Sequence, residues 1–111
     1  MRTASEEKID HMHEYEIYLP RKQTDGRDVS DLEIQGIRRT LAQAFGGYTQ
    51  MIQRCEGVWR LDGVTFRDEI TIIRVLDNGR CNFDMSSFRK TLERKLNQEH
   101  ILIVDREVRT L

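Results

Sequence analysis

Apolar residues recur along the chain at two spacings, and the first spacing appears in EYEIYL at positions 14–19. One side of this segment carries Tyr15, Ile17 and Leu19, and the other carries Glu14, Glu16 and Tyr18. A period of two predicts a half-buried strand. Pro20, the only proline, ends the predicted strand because it has no amide hydrogen to donate to a sheet.

A helical spacing begins at Ser30. Ser30 and Glu33 form a capping box, in which each side chain satisfies a free amide at the start of a helix. Gly46-Gly47 ends the helix after about Phe45, since glycine takes the left-handed conformation at low cost. The apolar stripe of this helix consists of Ile34, Ile37, Leu41 and Phe45.

The second half of the chain predicts two strands, a helix and a last strand. Asp62-Gly63 predicts a two-residue hairpin turn, and the ITIIRVL that follows is rich in β-branched residues. An amphipathic helix is predicted over about 86–98 from the four-residue repeat of Phe88, Leu92 and Leu96. The alternating segment ILIVDREV predicts the last strand.

The resulting order, βαββαβ, predicts an α+β fold. Two right-handed crossovers that share one sheet give the ferredoxin-like arrangement, a four-stranded antiparallel sheet with two helices on one face. We expect residues 1–12 to form a flexible N-terminal segment and residues 13–111 to form a single ferredoxin-like domain.

Composition narrows the class of protein. Of the 111 residues 33% are charged and the net charge is −1, without the basic excess common among nucleic-acid binders. No apolar run approaches the ~18 residues of a membrane span, and the N-terminus lacks the apolar core of a secretory signal. Cys55 and Cys81 show no metal-ligand spacing, so we expect reduced thiols, no metal, no cofactor and a cytoplasmic location.

The two-residue turn predicts which hairpin residues share a face of the sheet. If Leu61 lies opposite Val64, then Trp59 lies opposite Phe66 and the pairing continues from there. The face predicted to pack against the helices carries Met51, Cys55, Trp59, Leu61, Phe66, Ile70 and Ile72. The open face is predicted to carry charged residues together with Tyr18, Ile52, Val58, Ile73 and Val75.

On that open face Glu56 is predicted to lie opposite Glu69, a like-charge contact that is unfavourable in a sheet. If a partner covered them, one carboxylate would have a raised pKa, and the two could act as a catalytic acid/base pair. Arg54 and Arg67 lie near enough to compensate this charge or to bind an anion. The alternative is a solvated ladder of charges, and a bulge at Gly57 would shift the register and separate the acids.

The loop RKQTDGR after the first strand is a second candidate anion site. It is long and ends at a helix N-terminus, which favours anions, and Arg21 and Arg27 would supply positive charge. Because it lacks a P-loop or dinucleotide-type glycine pattern, an exposed charged loop is the alternative. His11 and His13 could chelate a metal with a third ligand, but His100 is predicted at the opposite end of the sheet, so no metal site is predicted.

Three short motifs, FGGYT (45–49), EGVW (56–59) and DEITIIRV (68–75), carry a resemblance. In these motifs and in its layout over residues 14–109 the chain resembles a widespread group of small prokaryotic proteins of unknown function. The resemblance implies a ferredoxin-like α+β fold and no particular reaction. The positions it marks are Gly46, Gly47, Thr49, Gly57, Trp59 and Glu69.

The sequence leaves three functions open. The first is a homodimeric binding or interaction domain that uses its open sheet face, with no membrane partner and no identified small-molecule ligand. The second is an enzyme in which Glu69 acts as acid/base with Glu56 as its partner. The third, which the balanced charge does not support, is a nucleic-acid-binding domain that uses Arg21, Lys22, Arg27 and Arg60.

Overall fold

The computed structural model describes residues 11–61 and 64–111, and it describes their side chains except at 11 and 55–69. Its elements are β1 (His11–Leu19), α1 (Asp31–Phe45), β2 (Thr49–Leu61), β3 (Val64–Asp77), α2 (Met85–Lys95) and β4 (Leu102–Arg109). The strands form one antiparallel sheet in the order β2-β3-β1-β4, which confirms the predicted ferredoxin-like α+β fold. Since β1 begins at His11, the domain starts before its predicted boundary at 13; the other residues of the predicted flexible segment 1–12 lie outside the description.

The ends of α1 follow the predicted capping residues. Ser30 Oγ accepts a hydrogen bond of 3.2 Å from the Glu33 amide, which confirms half of the capping box. In the other half of a capping box the Glu33 side chain would accept from the Ser30 amide. Glu33 Oε2 does not do so, because it is buried and has no hydrogen-bond partner. At the other end Gly46 has a φ of 82° and donates its N–H to the Ala42 carbonyl. No helix in the described part of the chain is long and apolar enough to cross a membrane.

The main hydrophobic core lies between the two helices and one face of the sheet. Ile17 and Leu19 of β1 are fully buried there, as the alternation in that strand predicts. Leu41 from α1 and Leu92 from α2 pack into the same cluster. The other buried members are Ile37, Ile73, Val75, Met85, Leu96 and Ile101. Each such side chain contributes roughly 1.5–3 kcal/mol through burial, so this layer holds the helices on the sheet.

The sheet face opposite the helices, which we call the outer sheet face, has an apolar cluster of its own. Ile70, Ile72 and Leu102 are buried in it, and Tyr18, Met51 and Val104 pack against them. All six residues belong to strands. Apolar side chains are therefore buried on both faces of β3.

The facing predicted for the hairpin strands is wrong at the predicted positions whose side chains are described. Residues that lie on the opposite face from the predicted one are Met51, Ile52, Ile70, Ile72, Ile73 and Val75. The pairing of β3 with β1 decides the facing of β3. Ile73 lies opposite the core residue Ile17 and therefore faces the helices. Ile72 lies opposite Tyr18, which is on the outer sheet face as predicted. The facing predicted for Cys55, Val58, Trp59, Leu61 and Phe66 lies outside the described side chains.

The register of the β2–β3 hairpin changes partway along its length. Near the turn Leu61 pairs with Val64, as predicted. An irregularity then falls between Arg54 and Val58, and beyond it Arg54 lies opposite Glu69. The predicted opposition of Glu56 and Glu69 is therefore wrong. The irregular stretch contains Gly57, the position at which the sequence offered a bulge as the alternative.

Candidate functional site

The four predicted hairpin site residues are not assembled as the sequence suggests. Glu56 lies inside the irregular stretch of β2, and Arg67 lies opposite Val58. In the strand register Glu69 is paired with the exposed Arg54 and not with Glu56. A catalytic role for Glu56 and Glu69, and anion binding by Arg54 and Arg67, stay predictions, because the side chains of residues 55–69 lie outside the description.

The predicted anion loop pairs two of its cations internally. Arg27 Nη2 lies 2.7 Å from Asp25 Oδ2, and Lys22 Nζ lies 2.8 Å from Asp28 Oδ1. The hydrogen bond from Arg27 holds the pKa of Asp25 below its usual value. These pairs leave less positive charge for an anion than the sequence suggests, while Arg21 is exposed. Anion binding by Arg21 and Arg27 stays a prediction.

The two histidines whose side chains are described, His13 and His100, lie at opposite ends of the sheet. His13 Nδ1 lies 2.8 Å from Asp105 Oδ1, and this contact raises the pKa of His13. His100 Nδ1 lies 3.5 Å from Glu93 Oε2. Among the residues whose placement is described, no group of three histidine, cysteine or carboxylate side chains could hold a metal ion.

Four charged residues meet on the outer sheet face, and we call them the paired-charge cluster: Glu14, Glu16, Arg74 and Arg106. The strand register brings them together, because Glu16 lies opposite Arg74 of β3 and Glu14 lies opposite Arg106 of β4. Each arginine contacts both carboxylates. Two acids and two bases thus form a network with no formal net charge.

Glu16 is the centre of this network. Its Oε1 lies 2.7 Å from Arg106 Nη1, and its Oε2 lies 3.3 Å from Arg74 Nη2. Only 6% of the residue is exposed. Burial by itself raises the pKa of Glu16, but hydrogen bonds from Arg106 and Arg74 outweigh burial and hold that pKa below its usual value. Glu16 is therefore an ionised acceptor at neutral pH.

The arginines of the paired-charge cluster cover the acids and face solvent. The exposed fraction of the side chain is 39% for Arg74 and 49% for Arg106, against 18% for Glu14. Glu14 Oε1 lies 3.2 Å from Arg74 Nε and 3.1 Å from Arg106 Nη1. Since both arginine side chains are partly exposed, they can contact a partner molecule while they stay paired with the acids.

A pocket of about 420 Å³ joins this cluster to the FGGYT motif. Its lining consists of Glu14, Phe45, Gly46, Gly47, Tyr48, Thr49, Arg74, Val75 and Leu76. Thr49 lies directly opposite Arg74 in the sheet. Three of the positions that the resemblance marks, Gly46, Gly47 and Thr49, therefore lie beside the paired-charge cluster.

Sequence reasoning did not single out this cluster. The alternation in EYEIYL places Glu14 and Glu16 on the face opposite Ile17, which is correct. The missing signal was a charge inside an apolar strand: Arg74 interrupts ITIIRVL, and Arg106 follows ILIVD. A charged residue inside an apolar strand is rarely buried without a partner. Acids on one strand and arginines on two others therefore favour a network of charges within the sheet.

Comparison of the chain with protein-family models, with curated proteins and with solved structures finds no match. The resemblance to small prokaryotic proteins thus stays a prediction.

Proposed function

We propose that this protein is an interaction domain that forms a homodimer through its outer sheet face. Both helices pack on the other side of the sheet. The feature that supports self-association most directly is the paired-charge cluster, a neutral network of acids and bases set among apolar side chains. Such a surface is complementary to a copy of itself.

The apolar part of the face surrounds the charges. Leu76 is 46% exposed beside Glu14, and Met51 and Val104 are partly exposed near Arg74. Covering side chains of this kind is favourable at about 25 cal/mol per Å² of apolar surface. The apolar rim therefore supplies a driving force for association, and the charges restrict which surface fits.

A two-fold axis places the same patch opposite itself. Arg106 of one copy then approaches the acids of the other copy, and the reverse contact forms by symmetry. The outer guanidinium groups can exchange contacts with Glu14 across the axis because they are already close to it and half exposed. Each copy contributes two acids and two arginines, so the acids of one copy can lie opposite the arginines of the other.

Sedimentation equilibrium at 1–200 μM (a range of about two decades) tests the proposal. The unchanged protein is expected to form a dimer, and Leu76→Glu is expected to weaken it at least tenfold by burying an unpaired carboxylate in the apolar rim. The matched control is Leu32→Glu, since Leu32 is 79% exposed in α1; it should dimerise normally. A monomer at every concentration, or equal weakening by both changes, rejects the proposal.

A further inference from the structure

A cleft of about 620 Å³ lies between α1 and α2, on the helical side of the sheet. Half of its lining residues are apolar, among them the buried Ile37, Leu92 and Leu96 and the partly buried Phe88. The other half are polar or charged: Glu33, Arg39, Thr40, Gln43, Thr91 and Lys95. Clefts of roughly 300–1,000 Å³ that combine apolar and polar groups are typical of small-molecule sites. The volume is too large for one side chain to fill.

Gly36 lies in the middle of α1 and lines this cleft. A Cβ built there would meet no atom within 4 Å. Glycine inside a helix is less favourable than alanine, because it loses more backbone freedom on folding. Close packing inside the chain therefore does not explain the glycine. The absence of a side chain at Gly36 leaves room in the cleft.

Glu33 precedes Gly36 by one turn of α1 and lines the same cleft. Its Oε2 is buried and has no hydrogen-bond partner. A buried acceptor without a donor is unfavourable, because it has lost its hydrogen bonds to water. The cleft therefore combines an apolar lining, empty space and one acceptor that lacks a donor.

We propose that this cleft binds a small, mostly apolar molecule with one N–H or O–H group that donates to Glu33 Oε2. The apolar body of the ligand would contact Phe88 and Leu92 and occupy the space above Gly36. The donor is a neutral group, because Arg39 and Lys95 also line the cleft and disfavour a cation. This site does not depend on the proposed homodimer.

Two isomeric probes isolate the hydrogen bond. The molecules 3-methylindole and 1-methylindole have the same size, but only 3-methylindole retains an N–H donor. We expect 3-methylindole to bind about tenfold more tightly, because only its N–H can donate to the unpartnered Glu33 Oε2. The readout is the titration of methyl NMR signals, with shifts at Ile37 and Leu92 and none at Ile72 on the outer sheet face.

Variants separate the site from a general affinity for apolar probes. Gly36→Leu should weaken binding of 3-methylindole at least tenfold, because the new side chain occupies the space above Gly36. It should not unfold the chain, since leucine favours a helix more than glycine does. Gln35→Leu adds the same side chain to α1 at an exposed position outside the cleft lining and should bind 3-methylindole normally. Glu33→Met should bind both isomers equally, because the acceptor is gone while the apolar lining stays.

Several results would overturn the proposal. They are the absence of saturable binding by either isomer, equal affinity of the unchanged protein for both isomers, and undiminished binding by Gly36→Leu. A change in the oligomeric state of Gly36→Leu would also overturn it, since the cleft would then be an interface between chains.

Discussion

Among the residues whose side chains the structure describes, Glu16 is the one charged residue that is buried, and it is the centre of the charge network on the outer sheet face. We expect Glu16→Gln to lower the free energy of unfolding by about 1–3 kcal/mol, because the amide keeps the size but loses the charge that two guanidinium groups bind. Urea denaturation at pH 7 measures this loss. Glu99→Gln, at an exposed position, is the control and should change the free energy by less than ~0.5 kcal/mol.

The effect of Glu16 should also depend on pH in a defined direction. Its pKa is lower in the folded chain than in the unfolded one, so its contribution is complete above an unfolded value of about 4.3. That contribution is lost as the pH falls through the native pKa. The difference between the parent and Glu16→Gln should therefore shrink with acidification; a difference that is constant across the acid range contradicts an ionised Glu16.

At the scale of elements, all four strands were predictable, but the facing of a strand was predictable only where apolar and polar residues alternate. In β1 the apolar Ile17 and Leu19 alternate with Glu14 and Glu16, and the predicted facing is correct. In β3 apolar residues are buried on both faces, so periodicity holds no information about facing. The turn alone then had to set the register, and the irregularity between Arg54 and Val58 makes that register fail away from the turn.

The candidate site was less predictable than the fold for the same reason. Its residues come from three strands, and their meeting depends on pairs such as Glu16 with Arg74, which only the strand order establishes. The motif residues Gly46 and Gly47 were visible in the sequence as a helix end, and that local role is confirmed for Gly46 by its φ of 82°. Their position beside Arg74 is a tertiary fact that local patterns do not contain.

Gly36 inside α1 and Gly46 directly after its end offer a matched test of local backbone physics. Gly46→Ala should cost about 1–2 kcal/mol, because its left-handed φ of 82° is strained for alanine. Gly36→Ala should gain roughly 0.5–1 kcal/mol, because its site lies inside the helix and has room for a Cβ. Thermal unfolding should separate the two variants by on the order of 10 °C. Equal shifts would show that backbone conformation is not what distinguishes the positions.

At the scale of the whole molecule, the sheet separates two surfaces of different chemistry. The outer sheet face has internally paired charges among apolar side chains, which suits a flat surface of the same kind. The helical side has a cleft with an acceptor that lacks a donor, which suits a small molecule. Between them lie Ile17, Ile73 and Val75, a packed layer that resists deformation.

We expect these two surfaces to act independently. A ligand changes a second equilibrium only if it has different affinities for the two states, and a rigid packed layer provides no second arrangement for it to select. The dimer dissociation constant, measured by sedimentation with and without saturating 3-methylindole, should therefore agree within about twofold, which is less than ~0.5 kcal/mol of coupling. Reciprocally, Leu76→Glu should leave the affinity for 3-methylindole unchanged. A shift of fivefold or more in both measurements would mean that the layer around Ile73 has two arrangements, and that occupation of the cleft controls self-association.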